Sequence, residues 1–550
     1  MTATTGGIGR IPITKVEPEV EGGAHAAKAF AGERLPIRAT VFREGHDAHR
    51  CAAVLTAPDG TTTEHPMAVG EPAGHDRWEV WVRLETEGLW QFRIEAWDDP
   101  WHTWVHHAEI KVPAGIDVGL VCAEGIALFE QASRNAHAAG ASPDEIGVLH
   151  AAAAALAEPQ QVEDRLTTAL SPRVRDLMDR WAPRPLLTRT VEREIFVDRR
   201  RAGFASWYEF FPRSQGATQT ADGRWQSGTF DSSYERLEAA AAMGFDVVYL
   251  PPIHPIGTAF RKGPNNTLTP GPYDPGSPWA IGAPEGGHDA IHPDLGDLDA
   301  FDRFVARAGQ LGLEVAMDLA LQASPDHPWV SEHPEWFTER IDGTIAYAEN
   351  PPKKYQDIYP INFDRDPEGI RAEVLRIVRF WMAHGVRTFR VDNPHTKPVD
   401  FWAWLLAEIR RTDPDVVFLA EAFTRPEMMK MLGAVGYHQS YTYFTWRNTA
   451  EELTEYVTEL ATETADRMRP SFWVNTPDIL PSYLQHGGRT AFAIRAVLAA
   501  TLTPLWGLYS GYELFESTPL RPGGEEYVDS EKYEYRPRDF AAAEAAGDSL

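Results

Sequence analysis

From about residue 190 onward the chain alternates short apolar runs with longer amphipathic stretches. The runs are Ala205-Ser-Trp-Tyr-Glu-Phe-Phe211, Asp246-Val-Val-Tyr-Leu250, Leu313-Glu-Val-Ala-Met-Asp318, Val386-Arg-Thr-Phe-Arg-Val-Asp392, Val416-Val-Phe-Leu-Ala-Glu421, Ser440-Tyr-Thr-Tyr-Phe444, Ser471-Phe-Trp-Val-Asn-Thr-Pro-Asp478 and Leu505-Trp-Gly-Leu-Tyr509. Continuous apolar runs of this length read as strands buried on both faces. The stretches between them change to helical period. Ile370, Val374, Ile377, Val378 and Trp381 make one apolar stripe, and Leu298, Phe301, Val305 and Ala308 another, closed by Gly312. Ser232-Ser-Tyr-Glu235 reads as a capping box, with Gly244 ending its helix. Eight strands alternating with helices predict an α/β fold, a (β/α)8 TIM barrel over 186–550. The long stretch after the third strand, 319–368, predicts an inserted lid domain.

Residues 1–115 carry a different pattern. Leu35-Pro-Ile-Arg-Ala-Thr-Val-Phe42 and Trp90-Gln-Phe-Arg-Ile-Glu-Ala-Trp97 alternate at period two, and turn residues such as Pro58-Asp-Gly60 separate the runs. This predicts an N-terminal β-sandwich. Over 116–185 the chain turns Ala-rich and amphipathic, as in His150-Ala-Ala-Ala-Ala-Ala-Leu156, which predicts a helical insert domain ended by the linker Pro183-Arg-Pro185. After the eighth strand, Phe540-Ala-Ala-Ala-Glu-Ala-Ala begins a helix, but a complete eighth helix is not visible, so a C-terminal truncation is expected.

Composition narrows the function. A formal net charge of −28 argues against nucleic acid or an anionic membrane as partner, while leaving room for a small phosphorylated ligand. Cys51 and Cys122 are the only cysteines, which reads as reduced thiols in a cytoplasm rather than a disulfide framework. No signal peptide is evident, and no run nears the ~18 apolar residues of a membrane span. His288 and His292 have the i, i+4 spacing of a metal pair, but Gly-Gly and Pro flank them, so no helix and no metal is expected there. No cofactor motif is present.

Asp392, Glu421 and Asp478 each close an apolar run. In a parallel barrel such residues converge on the catalytic face. Three acids there suit transfer at an anomeric carbon with retention: one carboxylate attacks, one protonates the leaving group, one holds the distorted sugar. Arg390, two residues before Asp392, points the same way on the strand and keeps that acid ionised. Glu421 must start protonated, and Leu419 on the same strand face offers the apolar surroundings that raise a carboxyl pKa.

Arg390-x-Asp392, Glu421 and the late Asp478 resemble the catalytic pattern of glycoside hydrolase family 13, the α-amylase family, as does Trp207-Tyr-Glu-Phe-Phe-Pro-Arg-Ser214. Two departures narrow the match. Asp318-Leu-Ala-Leu-Gln-Ala323 has Gln322 and Ala323 where the family usually has Asn-His, and Asn475-Thr-Pro-Asp478 lacks the His before its Asp. The segments that differ resemble the maltose-1-phosphate maltosyltransferases of α-glucan synthesis. They include Leu250-Pro-Pro-Ile-His-Pro-Ile-Gly257, Arg261-Lys-Gly-Pro-Asn-Asn266, Pro278-Trp-Ala-Ile-Gly282, Glu285-Gly-Gly-His-Asp-Ala-Ile-His-Pro293, Glu349-Asn-Pro-Pro-Lys-Lys-Tyr355, Arg390-Val-Asp-Asn-Pro-His-Thr-Lys397 and Glu531-Lys-Tyr533.

The resemblance implies a retaining transferase with Asp392 as nucleophile, Glu421 as acid and base, and Asp478 as transition-state stabiliser. It would move maltosyl from α-maltose 1-phosphate to the non-reducing end of an α-1,4-glucan, in glycogen or α-glucan biosynthesis. It implies Asn350, Lys353, Tyr355 and Asn393 around the phosphate, and Lys262, Gln322, Tyr512, Lys532 and Tyr533 around the two glucosyl units. Trp279 is left between stacking on a sugar and serving the core. The resemblance also implies a homodimer; no metal and no cofactor are expected, and the family's C-terminal β-domain has no counterpart here. Two other readings stay open: a related α-glucan hydrolase or isomerase, and a non-catalytic glucan-binding fragment.

Overall fold

Strand β1 (Ala205–Glu209) pairs in parallel with β2 (Val247–Leu250), and the ladder continues through β3 (Glu314–Leu319), β4 (Thr388–Val391), β5 (Val417–Ala420), β6 (Gln439–Tyr441), β7 (Pro470–Trp473) and β8 (Leu505–Tyr509), which returns to β1 and closes the barrel. The computed structural model describes residues 8–71, 74–158, 162–351 and 353–550. The chain forms two compact units: one runs to Val197 without 28–31, the other comprises those four residues and Asp198–Leu550.

The strands are mostly apolar because both faces are covered. Inward-pointing Trp207, Tyr249, Ala316, Leu419, Tyr441 and Trp473 fill the barrel. The alternate positions, such as Val248, Phe389 and Phe418, pack outward into the main core with the helices. Gly507 of β8 has a local reason: a Cβ there would lie 2.7 Å from the Trp473 ring that occupies the barrel interior.

The wall helices are α1 (Tyr234–Ala242), α2 (Leu298–Gln310), α3 (Pro367–Ala383), α4 (Val399–Thr412), α5 (Pro426–Ala434), α6 (Ala450–Thr462), α7 (Ser482–Leu502) and α8 (Phe540–Ala546). The predicted α3 stripe is buried in full. In α2, Phe301 and Ala308 are buried, and Phe304 joins them. The expected capping box at Ser232–Glu235 does not form. A 3-10 turn, Asp231–Ser233, leads into α1, and Ser232 Oγ instead donates to the Gln215 carbonyl, tying two loops together. Helix α8 has seven residues, none buried, and Arg236 lies 3.7 Å from its Phe540 ring centroid.

Between β3 and α3 the chain makes two small two-stranded pairings, the second a hairpin. Gln322–Ala323 pairs with Tyr359–Pro360, and Ala348–Asn350 pairs with Lys353–Tyr355. The excursion thus starts at the C-terminal end of β3 and pairs back onto its own start before α3.

In the first unit, one sheet is ordered Ile13–Glu17, Arg34–Val41, Arg77–Arg83, Ala68–Val69. The other runs Arg193–Asp198, Gly88–Asp98, His49–Thr56, Thr62–Pro66, with Thr188–Arg189 also on Gly88–Asp98. A helical core around Trp101, Trp104 and Phe129 adjoins them. Its first helix, Pro100–Lys111, starts inside the span expected to be sheet. Asp99 accepts the His102 N–H and Pro100 occupies the first turn, so capping outweighs the aromatic, strand-like composition. The chain returns to strand at 188–198, past the expected linker. Cys51 and Cys122 are free and buried. Among the described residues no helix is long and apolar enough to cross a membrane.

Candidate active site

Asp392 and Glu421 are the residues directly after β4 and β5, so strand pairing makes them neighbours. One guanidinium organises them. Arg390 Nη1 donates to Asp392 Oδ1 and to Asp318 Oδ2, both at 2.9 Å, and Nη2 lies 2.7 Å from Glu421 Oε1. All four side chains are at least nine-tenths buried. Asp392 and Glu421 thus share the one guanidinium. Asp318, opposite Arg390 in the ladder, also accepts from Tyr249 Oη at 2.5 Å and Trp279 Nε1 at 3.2 Å, which locks the Arg390 end of the array.

The same cluster drives the two acids apart. Burial opposes ionisation of Asp392, yet Arg390 and then Lys397 outweigh it and hold its pKa below the ordinary value. Glu421 goes the other way. Burial pushes its pKa well up, Arg390 opposes, and the carboxylates of Asp392, Asp478 and Asp318 add to the rise. An ionised nucleophile beside a protonated acid is the pairing that retaining transfer needs.

Asp478 is placed differently from the expectation. Strand β7 ends at Trp473, and Asp478 follows in a turn closed by a Thr476–Ile479 bridge. The intervening Val474–Pro477 residues stay buried, which is why they read as strand. Asp478 is 45% exposed at its side chain and pairs with Lys532 Nζ at 2.7 Å. That contact holds the Lys532 pKa above its usual value although burial opposes. Lys532 also lies 5.0 Å above the Trp279 ring. Trp279 itself is buried, edge-on to Phe211, and its indole N–H serves Asp318, so it is a core residue with a polar duty.

Of the remaining expected residues, several meet at this rim. Lys262 is buried and donates to Gln356 Oε1 at 3.0 Å, and burial lowers its pKa against the pull of Asp357. Gln322 anchors its amide on the Trp279 carbonyl. Tyr533 and Tyr355 flank Lys532 electrostatically. Asn393 is exposed beside Asp392. Lys353 stands on the second hairpin with its ammonium 3.3 Å from Glu526. The side chain of Asn350 lies outside the described residues.

Tyr512 is a correction. It is fully buried, and its hydroxyl donates to the Phe492 carbonyl of α7 at 2.6 Å. The left-handed Gly511 and Phe515 on either side turn it into the wall rather than the cavity.

Three contributors carried no signal of their own in the sequence. Glu209, at the tip of β1, is buried with Oε2 unpartnered, and its pKa is raised by burial and, less, by nearby acids, with Arg390 opposing. Glu531 accepts from Tyr509 Oη at 2.5 Å and Arg538 at 2.8 Å, which fixes the segment presenting Lys532 and Tyr533. Lys397 grips the backbone under Asp392. Among the described residues, no three His, Cys, Asp or Glu side chains are grouped so as to hold a metal ion.

Residues 9–199 match the family model for α-1,4-glucan:maltose-1-phosphate maltosyltransferase, domain N/S. The chain is 58% identical over 554 residues to α-1,4-glucan:maltose-1-phosphate maltosyltransferase 2 of Streptomyces coelicolor, covering 100% of this chain and 81% of that protein. It is 50% identical over 567 residues to the enzyme of that name from Mycobacterium tuberculosis, covering 98% and 80%. Among solved structures, an α-amylase from Lactobacillus plantarum aligns with a TM-score of 0.44 at 21% identity, covering 63% of this chain and 76% of that one.

Proposed function

The chain belongs to the α-1,4-glucan:maltose-1-phosphate maltosyltransferase family, and from that premise we propose how its residues carry out the transfer. Ionised Asp392 attacks the anomeric carbon of α-maltose 1-phosphate. The C1–O bond to phosphate breaks as Glu421 gives its proton to the departing oxygen, leaving a β-maltosyl ester on Asp392. The non-reducing 4-hydroxyl of an α-1,4-glucan then attacks C1 from the vacated side, Glu421 takes the hydroxyl proton, and Asp392 leaves as carboxylate. Asp478 binds sugar hydroxyls and favours the flattened ring of the transition state. Lys353, Tyr355, Asn350 and Asn393 hold the phosphate, a dianion that ammonium, phenol and amide groups can surround without metal. Lys262, Gln322, Lys532 and Tyr533 hold the glucosyl units.

The observation that carries this reading is the pair of carboxyls on one guanidinium with their pKa values displaced in opposite directions. Incubation with α-maltose 1-phosphate and a malto-oligosaccharide tests it. Phosphate release coupled to growth of the glucan by two glucosyl units is expected. Free sugar made from glucan alone, with no dependence on the donor, contradicts it.

A homodimer acting in the cytoplasm completes the reading. Its supports are the family and the two unpaired, buried cysteines, which suit a reducing compartment. Light scattering on the purified chain tests the dimer.

A further inference from the structure

Directly after the nucleophile the backbone takes an uncommon shape. Asn393 sits in the left-handed region, φ 41° and ψ 55°. Asn tolerates this region better than most non-glycine residues, and here its surroundings also hold it there. Three donors do so. Lys397 Nζ lies 3.2 Å from the carbonyl oxygens of both Asp392 and Asn393. Thr396 Oγ1 donates to the Asn393 carbonyl at 2.8 Å.

The peptide between Asp392 and Asn393 is planar and trans, so its carbonyl and its N–H point in opposite directions. Lys397 holds the carbonyl end. The N–H end donates to Glu421 Oε2 at 3.3 Å. The ammonium that does this is nine-tenths buried, and among the described residues no carboxylate pairs with it directly. A buried cation spent on two backbone carbonyls needs a reason, since a neutral donor would satisfy them at less desolvation cost.

We propose that Lys397 is a positioning residue for the acid/base: by fixing the plane of the Asp392–Asn393 peptide it aims the Asn393 N–H at Glu421, and its charge keeps the Asp392–Glu421 pair within its working pH range. This rests on the roles given above to Asp392 and Glu421. The other groups facing the pair are the Arg390 guanidinium, the carboxyls of Asp318, Asp478 and Glu209, and the Tyr441 phenol. His395 faces Lys397 and Asp392, and burial lowers its pKa, with Lys397 adding to the fall. None of these is removed by substitution at Lys397.

The direction of the effect follows. Without Lys397, both carboxylates lose a nearby cation, and Glu421 loses a donor that favours its ionised form, so both pKa values rise. The rate profile against pH should therefore move as a whole to higher pH. A residue that served only the fold would lower activity without moving the limbs.

The test compares wild type, K397M and K397R in phosphate release from α-maltose 1-phosphate across pH. In K397M, kcat is expected to fall about tenfold to 100-fold with KM nearly unchanged, and both limbs to shift upward. K397R, which keeps the charge, should restore the limbs to their wild-type positions. Limbs that stay in place in folded K397M, or shift equally in K397R, overturn the proposal. If K397M does not fold, K397Q makes the same comparison, and unmoved limbs overturn it equally. Failure of wild type to release phosphate at all would instead count against the functional reading.

Discussion

The floor of the site and the hairpin above it are built on opposite principles. On the floor, Arg390, Asp318, Asp392 and Glu421 are nearly sealed from water and joined by contacts of 2.7–2.9 Å. On the hairpin, Lys353 is 55% exposed and pairs at 3.3 Å with Glu526, itself 32% exposed. Charges in the sealed floor act through a low dielectric and need no rearrangement during reaction. The exposed pair is screened and weak, so the ammonium can leave Glu526 at small cost. On the proposed roles, chemistry is preorganised by burial and donor recognition is kept exchangeable.

The largest expected effect breaks the floor itself. Asp392→Ala should lower kcat/KM by about 10⁴-fold or more while leaving donor binding measurable by calorimetry. Next comes Arg390→Met. Removing the one cation shared by three buried carboxyls should cost stability by about 3–5 kcal/mol in a denaturant titration, besides abolishing turnover. A stable, active Arg390→Met enzyme would mean that the floor is not organised as described.

The hairpin should respond in KM rather than kcat. Lys353→Ala is expected to raise KM for α-maltose 1-phosphate about tenfold to 100-fold with kcat changed much less, because a binding contact to the phosphate is lost in ground and transition states alike. A fall confined to kcat would move Lys353 into the chemistry. Glu526→Ala, which only frees Lys353, should change KM by about threefold or less, in the direction of tighter binding.

Beside the start of the excursion after β3 lies a buried histidine chain whose response to pH is set by burial. His327 Nδ1 accepts the Trp329 N–H, so its Nε2–H donates to His288 Nδ1 at 3.0 Å, and His288 Nε2–H donates to the Ala320 carbonyl at 2.8 Å, where the hairpin excursion begins. Burial lowers the pKa of His254 to about 3, His288 to about 4 and His327 to about 2. The unfolded chain takes up protons below about 6.5, and the folded chain does not. Stability should therefore be full above that pH and fall as pH drops from there toward about 4, read as a declining Tm. His288→Gln should flatten this slope, and an unchanged slope would remove the chain from the account.

The contrast between floor and hairpin also decides what the sequence made legible. Asp392 and Glu421 stand out because an acid ends a run buried on both faces, and the ladder register then forces them together. Asp478 was legible as an acid but not in its setting, since Val474–Pro477 is buried like a strand without pairing as one. On the hairpin, Lys353 and Tyr355 carry no periodic signal, and only resemblance marked them. Tyr512 shows the limit of resemblance: a matched motif fixes a residue's place in the chain, while the left-handed turns around it decide where the ring goes. Glu209 and Lys397 lay inside quoted motifs, but their roles depend on partners distant in sequence or on backbone geometry that no spacing reveals.

Mass spectrometry of a trapped sugar tests the central claim most directly. Glu421→Ala enzyme, treated with a fluorinated α-maltosyl donor whose good leaving group needs no acid, should retain a maltosyl adduct on the peptide containing Asp392. An adduct on any other residue, or none while turnover of the same donor persists, would contradict the assignment of the nucleophile and with it the mechanism.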